Sequence, residues 1–537
     1  MAVLQSTIDT ASPTFASNRR GMLELLARMR HLEGRVRTLS EKRRPQFEQR
    51  GQLMPHDRVA RLLDPGSPFL ELSTLAGLGM HEDDGEDFVM GGNLIIGIGF
   101  VSGLCCMVIC HNSAIKGGTM LPLGIRKHLR AQQIAQENKL PTIYLVESGG
   151  GNLHHQGEYF VEGGRQFTNQ ARMSAAGIPQ ISVVHGSSTA GGAYIPGLSD
   201  YVIMVRDKAK VFLAGPPLLK AATGEVATDE ELGGAEMHAT VSGVADYVVD
   251  NDHQAIEVAR NILRNLNWRR APRQAPDAPP PRYEAEDLLG IVPVDFRKSY
   301  DVHEVIARIV DDSDFYDFKP AYGPATVCGQ ARIEGMAVAI IGNNGPIDAD
   351  GAAKAGQFIQ LMCQSGTPIV YLQNITGFIV GKEAERRGIV KHGSKMIQAV
   401  ANAIVPQITI NIGASFGAGN YGMCGRALDP RFLFAWPNNR VAVMGGEQAA
   451  RVMTIVEEEA ARRRGAEVDR AELQQAEDRL VARFERESTA LHVTARLWDD
   501  GIIDPRDTRQ VLAICLDICQ DAQTRVLHSN TFAVARF

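Results

Sequence analysis

The octet Ser187-Ser188-Thr189-Ala190-Gly191-Gly192-Ala193-Tyr194 is repeated in shape some 227 residues later by Ala414-Ser415-Phe416-Gly417-Ala418-Gly419-Asn420-Tyr421. Each octet follows a proline, a Gln-Ile pair and an apolar run, Pro179 to His185 in the first case and Pro406 to Ile412 in the second. A strand that gives way to small residues and then to a helix start leaves backbone N–H groups without intrahelical partners. Glycine or alanine lets a ligand oxygen approach that backbone, where a larger side chain would block it. The chemistry such a turn can perform is stabilisation of an oxyanion, and two turns make two oxyanion holes. The same residues would also serve as tight strand–helix turns of duplicated domains. The chemical reading is favoured because the pattern recurs inside matching flanks.

The elements that must position these turns recur as well. Gly103 to Asn112 matches Gly335 to Asn344, Pro141 to Leu145 matches Pro368 to Leu372, and Gly243-Val244-Ala245-Asp246 matches Gly501-Ile502-Ile503-Asp504. Alternating apolar runs predict strands at Asn93 to Phe100, Gly103 to Cys110 and Pro141 to Val146, with a helix over Leu123 to Glu137 introduced by Lys116-Gly117-Gly118-Thr119. Self-similarity over this length means duplicated domains rather than a short-repeat solenoid. Between the copies, five prolines fall within residues 272–281, which neither a helix nor a central strand tolerates. The expected organisation is an N-terminal domain over 1–271, a linker over 272–282 and a C-terminal domain over 283–537. Residues 18–48 carry an amphipathic helix, His81 to Asp87 an acidic surface loop, and Glu457 to Glu487 a charged helical stretch that the first half lacks.

A chain of 537 residues with 44% hydrophobic content holds a large core and two or more domains. A net charge of −6 argues against nucleic acid as the main partner. No apolar run reaches the length of about 18 residues that a membrane span needs. The first twenty residues lack a secretory pattern, although their Ser/Thr/Ala content and Arg19-Arg20 leave a transit peptide open. None of the eight cysteines forms a C-x-x-C pair, which argues against zinc and disulfides and for a reducing compartment, the cytoplasm.

Longer motifs resemble a known family. Leu63-Asp64-Pro65-Gly66-Ser67-Pro68-Phe69-Leu70-Glu71-Leu72, Asn169 to Ala175, Thr189 to Tyr194, Ala221 to Glu225, Phe416 to Arg426, Val443 to Ala450 and Thr494 to Gly501 are similar to the biotin-dependent acyl-CoA carboxylase β subunits. These are carboxyltransferases of the crotonase superfamily, and the resemblance runs from about Phe15 to the last helix, nearest the methylcrotonyl-CoA/geranyl-CoA branch. It implies an α/β fold of two homologous crotonase-type (ββα spiral) domains, the N-terminal one on the acyl-CoA side and the C-terminal one on the biotin side. It further implies Gly191 and Gly192 as one catalytic donor pair and Ala418 and Gly419 as the other. Ala190, Lys116, Gly117 and Phe416 are expected at the substrates, and no metal is expected. The active site is expected at a dimer interface of a β-subunit hexamer. Biotin is expected on a partner, the biotin carboxylase and biotin-carrying α subunit. This chain has no Met-Lys-Met attachment motif, Lys395-Met396 lacking the second methionine, and no phosphate-binding loop for ATP. The compartment implied is cytoplasm for a bacterial chain and mitochondrial matrix for a eukaryotic one.

One departure from the family bears on the substrate. Relatives read about His-Phe-Gly-Arg-Ile-Phe-Tyr where this chain has Glu162-Gly163-Gly164-Arg165-Gln166-Phe167-Thr168. Gly163 and Thr168 both remove bulk, as a cavity opened for a geranyl chain requires; a loop change compensated by other side chains is the alternative. His111-Asn112 and Gln52 differ from the relatives' Asn-Asp and Lys. The reaction expected is transfer of CO2 from carboxybiotin to the allylic methyl of a branched enoyl-CoA, geranyl-CoA before 3-methylcrotonyl-CoA. Two further readings are a crotonase-type hydratase or hydrolase, with Glu147 as its water-activating carboxylate, and a non-enzymatic scaffold for a partner subunit.

Overall fold

The structure is a computed structural model that describes residues 3–81, 90–268, 278–465 and 470–534. The acidic loop expected at 81–87 therefore lies outside the described residues from 82 on, as does the linker over 272–277. The chain divides into two compact units, one comprising His31–Arg273 with Ile518–Phe537, the other Met1–Arg30 with Gln274–Asp517.

The first-sheet unit carries β1 (Phe69–Glu71), β2 (Leu94–Val101), β3 (Leu104–His111), β4 (Thr142–Ser148), β5 (Gln180–Thr189), β6 (Tyr201–Val205), β7 (Lys210–Phe212) and β8 (Tyr247–Val249). Their order is β1-β2-β3-β4-β5-β6-β8, with β7 also pairing β5. β2 and β3 form an antiparallel hairpin, and β3 to β6 run parallel. These strands are near-continuous apolar runs, as a parallel sheet covered on both faces demands. On one face Val59 and Leu62 of the Pro55–Leu62 helix and Ile256, Ala259 and Leu263 of the Asp252–Asn265 helix close a buried core over Val108, Ile143, Ile181 and Ile203.

The second-sheet unit repeats the plan with β9 (Tyr316–Asp317), β10 (Thr326–Ile333), β11 (Met336–Asn343), β12 (Ile369–Ile375), β13 (Gln407–Phe416), β14 (Phe432–Ala435) and β15 (Arg440–Ala442). β10 and β11 are the antiparallel hairpin, β11 to β14 run parallel, and β15 pairs β13 as β7 pairs β5. Phe358 and Ile359 of the Ala349–Ser365 helix and Met396 and Val400 of the Ile389–Ala401 helix pack on its core. The duplication extends to single hydrogen bonds. The Tyr144 hydroxyl donates to Gln180 Oε1 at 2.8 Å, and the Tyr371 hydroxyl donates to Gln407 Oε1 at 2.8 Å. All four side chains are buried. The Gln-Ile pairs that flag the repeat thus begin β5 and β13 and tie each to the strand beside it.

The units do not end where the sequence places the domain ends. The first thirty residues belong with the second sheet, where the Ser6 and Thr7 hydroxyls donate to Glu304, Asn18 Nδ2 donates to the Gly290 carbonyl and Arg30 pairs with Asp504 at 2.7 Å. The C-terminal segment returns to the first sheet, where Lys139 Nζ donates to the Arg525 carbonyl and the Asn530 N–H to the Ala175 carbonyl. A helical pattern carries no mark of the sheet it will cover. The helix predicted over 18–48 is Pro13–Glu41 followed by Arg44–Gln49, and the charged stretch is two helices, Gly446–Arg464 and Arg470–Glu487. Among the described residues no helix is long and apolar enough to cross a membrane.

Tyr144→Phe and Tyr371→Phe each leave a buried glutamine oxygen without its donor. Each substitution is expected to cost about 1–3 kcal/mol. Thermal unfolding of the two variants against wild type checks this, at about 2–4 °C of midpoint per kcal/mol.

Candidate active site

The first small-residue turn stands at the carboxyl end of β5. Thr189 is extended (φ −112°, ψ 155°), and Ala190 then swings into the left-handed region at φ +52° before the tight turn Ala190–Ala193. Left-handed backbone is unfavourable for a residue with a Cβ and persists only where its surroundings over-determine it. The Ser188 hydroxyl donates to the Gly192 carbonyl at 2.9 Å, closing the turn from below. Phe167 and Tyr194 meet edge to face at 5.5 Å and press the Gln156–Ala175 helix against it.

Ala190, Gly191 and Gly192 line a cavity of about 590 Å³, within the usual size of small-molecule sites. Its apolar walls include Met120, Ile125, Tyr159, Phe160 and Ile195, and its polar lining His111, Ser148 and Gln166. Gly163 faces it from the Gln156–Ala175 helix. A Cβ there would lie 3.7 Å from Tyr159 and 3.8 Å from Ile125, ordinary contacts, so a small side chain fits and a larger one must grow into the cavity space. Thr168 is exposed, its hydroxyl turned back to the Gly164 carbonyl at 3.4 Å. Five positions on from Gly163 is about 140° round a helix, and Thr168 is not in the lining. Lys116 and Gly117 are exposed and also outside the lining. Their turn is tied to the end of β4, the Gly117 carbonyl accepting from the Gly149 N–H at 3.0 Å.

His111, at the carboxyl end of β3, was flagged by sequence only as a departure from relatives. It is 1% exposed, and burial pulls its imidazole down to about 4, so the cavity carries a neutral ring at physiological pH. Burial of an imidazole has no signature in the residue type, whereas its place at the end of an apolar strand is one. Among the described residues, His81, His155 and Glu158 offer potential metal-ligand atoms within 4.8 Å of one another. The Glu158 carboxylate already faces both rings, at 3.1 and 3.5 Å.

The second turn, in the other unit, copies the first in backbone. Phe416 is extended (φ −113°, ψ 143°) and Gly417 is left-handed at φ +56°, the place held by Ala190 in the first turn. Ser415 stands where Ser188 does, donating to Gln373 Oε1 and accepting from Asn420 Nδ2 at 2.7 Å. Gly419 is buried, and a Cβ there would fall 2.7 Å from Ile375 and 3.1 Å from the Gly377 backbone; Ala418 is exposed. Phe416 lines a cavity of 560 Å³ with Phe296, Phe378, Ile379, Arg297 and Gly445, and meets Phe296 edge to face at 5.2 Å.

Residues 46–531 match the carboxyl transferase domain. The chain belongs to that family. It is 49% identical over 536 residues to the probable mitochondrial methylcrotonoyl-CoA carboxylase beta chain of Drosophila melanogaster, covering 96% of this chain and 92% of that one. It is 52% identical to the probable biotin-dependent acyl-coenzyme A carboxylase beta2 subunit of Mycobacterium tuberculosis, over 87% of each. The crystal structure of the P. aeruginosa geranyl-CoA carboxylase beta subunit matches it with a TM-score of 0.94 at 55% identity, covering 100% of both chains.

In this carboxyl transferase Glu147 is not a free base. Its Oε2 lies 2.6 Å from Nη1 of Arg58, which is fully buried, and it is absent from the cavity lining. Burial works to raise the Glu147 carboxyl, but the Arg58 charge and hydrogen bond outweigh it and the net shift is downward. A water-activating carboxylate needs a pKa near working pH and reach into the substrate cavity. Glu147 has neither, which removes the residue on which the hydratase reading stood.

The turns predict sharp intolerance. At Gly192 a Cβ already meets Ser188 Oγ at 3.3 Å and Ser148 Cβ at 3.4 Å, so valine forces the turn apart. Gly192→Val is expected to lower carboxyl transfer by about a hundred- to a thousand-fold, the size of losing one oxyanion donor. Gly419→Val is expected to do the same. Steady-state rates of the assembled enzyme check both, and unchanged rates would support the scaffold reading.

Proposed function

We propose that this carboxyl transferase is the β subunit of a biotin-dependent acyl-CoA carboxylase, carrying CO2 from carboxybiotin to the allylic methyl of a branched enoyl-CoA, geranyl-CoA foremost. The observation that carries the substrate is Gly163, whose bare Cα opens the wall of the cavity that also holds Gly191 and Gly192. Loss of a γ-proton from the enoyl thioester puts negative charge on the thioester oxygen. The Gly191 and Gly192 N–H groups are donors fixed in advance for that oxygen, so no reorganisation is needed as the charge develops. The acyl tail then extends along Ile125, Tyr159 and Gly163, and the neutral His111 adds no charge to be desolvated.

Biotin carried in by a partner would supply the CO2 and, as the CO2 leaves with negative charge passing to the ureido oxygen, the base that takes up the γ-proton. The residues suited to that oxygen are Ala418 and Gly419, whose turn adjoins the aromatic cavity of Phe296, Phe378 and Phe416, a fit for a partly apolar ring system. The group belongs to a partner subunit in this reading, since the chain lacks an attachment motif. Leu153, Phe160 and Val161 at the mouth of the acyl cavity are 78, 78 and 86% exposed, which supports a covering copy or partner. A hexamer with its active site at a dimer interface is the assembly we propose. The compartment is cytoplasm in a bacterial source and the mitochondrial matrix in a eukaryotic one, as in the relatives named mitochondrial.

A second reading, 3-methylcrotonyl-CoA as substrate, is favoured by the names of several relatives, one of them the 3-methylcrotonyl-coenzyme A carboxylase beta1 subunit of M. tuberculosis at 47% identity. Position 163 separates the two. A geranyl chain has about five more carbons than methylcrotonyl, each contributing about 0.8 kcal/mol when buried. Gly163→Phe is expected to lower kcat/KM for geranyl-CoA by about a hundred- to a thousand-fold and to affect methylcrotonyl-CoA much less. Equal losses on both thioesters would sink the geranyl assignment. The purified chain alone is expected to show no ATP-dependent carboxylation, and activity to return with a biotinylated partner; activity of the lone chain would refute the subunit assignment.

A further inference from the structure

β4 and β5 pair residue for residue from Thr142↔Gln180 to Val146↔Val184, and the next pair is Ser148↔Ser188. Glu147 alone on β4 therefore faces His185, Gly186 and Ser187 on β5. The second sheet breaks register at the same place, from Gln373↔Asn411 to Ile375↔Ser415, with Asn374 facing Ile412, Gly413 and Ala414. Extra residues on one strand bend it and redirect its end. Here the bent ends are the last residues before the two left-handed turns.

In both sheets the single residue opposite the bulge fills it with a polar side chain laid against a glycine. A Cβ on Gly186 would fall 2.7 Å from the Glu147 carboxyl carbon, and one on Gly413 would fall 2.4 Å from Asn374 Oδ1. Asn374 Oδ1 accepts the Ala414 N–H at 3.0 Å and so holds its bulge directly. Glu147 is held from behind. Arg58 Nη1 pairs with Glu147 Oε2 at 2.6 Å and Arg58 Nε with Asp252 Oδ2 at 3.4 Å. Asp252 Oδ1 meets His185 Nδ1 at 2.7 Å, and Gln52 Nε2 donates to the His185 carbonyl at 2.8 Å. His185 is itself a bulge residue, so both its side chain and its backbone are fixed. Arg58, His185 and Asp252 are at most 2% exposed.

We propose that Arg58 and Glu147 are positioning residues for carboxyl transfer. Together they fill and clamp the β5 bulge, and the bulge aims the Gly191 and Gly192 N–H groups. The proposal rests on the oxyanion reading of that turn, yet fails separately from it. Loss of activity in Gly192→Val speaks to the turn; the behaviour of Glu147 variants speaks to what holds the turn.

The test uses the enzyme assembled with its biotin-carrying partner. Glu147→Gln keeps the volume and an oxygen for Arg58, which retains Asp252 as counter-charge, and is expected to hold kcat within about threefold of wild type. Glu147→Ala empties the bulge and is expected to lower kcat about a hundredfold, the scale of a displacement of about 1 Å at a reacting centre. KM for the acyl-CoA is expected to change by less than about threefold in both, because Glu147 is outside the cavity lining. The double variant Arg58→Met/Glu147→Met removes the ion pair and leaves Asp252 bonded to His185 and the Leu53 N–H, a replacement that buried pairs often tolerate in stability. It is expected to unfold near the wild-type temperature while keeping the low kcat of Glu147→Ala. Wild-type kcat in a folded Glu147→Ala or double variant overturns the proposal. So does a fall in Glu147→Gln as deep as in Glu147→Ala, which would mean that the carboxylate itself takes part in the chemistry.

Discussion

A break in strand register governs the rest of this structure. Because β5 and β13 each carry two residues more than the strand beside them, their ends bend, resume pairing beyond the bulge and take β7 and β15 as new neighbours before they turn. The left-handed Ala190 and Gly417 complete the turn, and in the proposed reading the backbone that follows meets an anion. An arrangement of backbone donors asks little of side chains, so the octets match in shape while differing at most positions.

The two copies show which parts of that device are constrained and which are free. The strand pairing, the Tyr–Gln bond, the serine under the turn and the left-handed residue are common to both. The filling of the bulge is not. One copy uses a neutral amide bonded to backbone; the other buries a carboxylate with an arginine, an aspartate and a histidine. A buried ion pair is a poor source of net stability, because desolvation offsets most of its attraction. Its value here is geometric, since a charge with several fixed partners has one place to sit. The strained Ala190 is consistent with surroundings that dictate the backbone rather than follow it.

Above this frame, the specificity proposed is a matter of volume. The cavity beside Gly191 and Gly192 is mostly apolar, and an apolar pocket discriminates chain length through the room it offers and little else. In the proposed reading a residue without a side chain at position 163, beside Tyr159 and Ile125, sets that room. The neutral His111 keeps the lining free of a charge that a hydrocarbon tail would have to desolvate.

The sequence by itself determined what is local or repeated. Strand, small residues and helix start are contiguous, so both turns were legible, and the Pro-Gln-Ile flanks tied them to duplicated sheets. Gly163 could be singled out because an absent side chain next to a motif is visible in one dimension. Only the tertiary structure decided which unit the chain ends join, because the bonds of Ser6 to Glu304 and of Asn530 to Ala175 link positions hundreds of residues apart. It also decided that Thr168 turns outward, that Lys116 and Gly117 lie outside the cavity lining, and that Glu147 belongs to Arg58. The reason is the same in each case. Helical phase and the partner of a charge are properties of packed neighbours, and a linear pattern names residues without naming their neighbours.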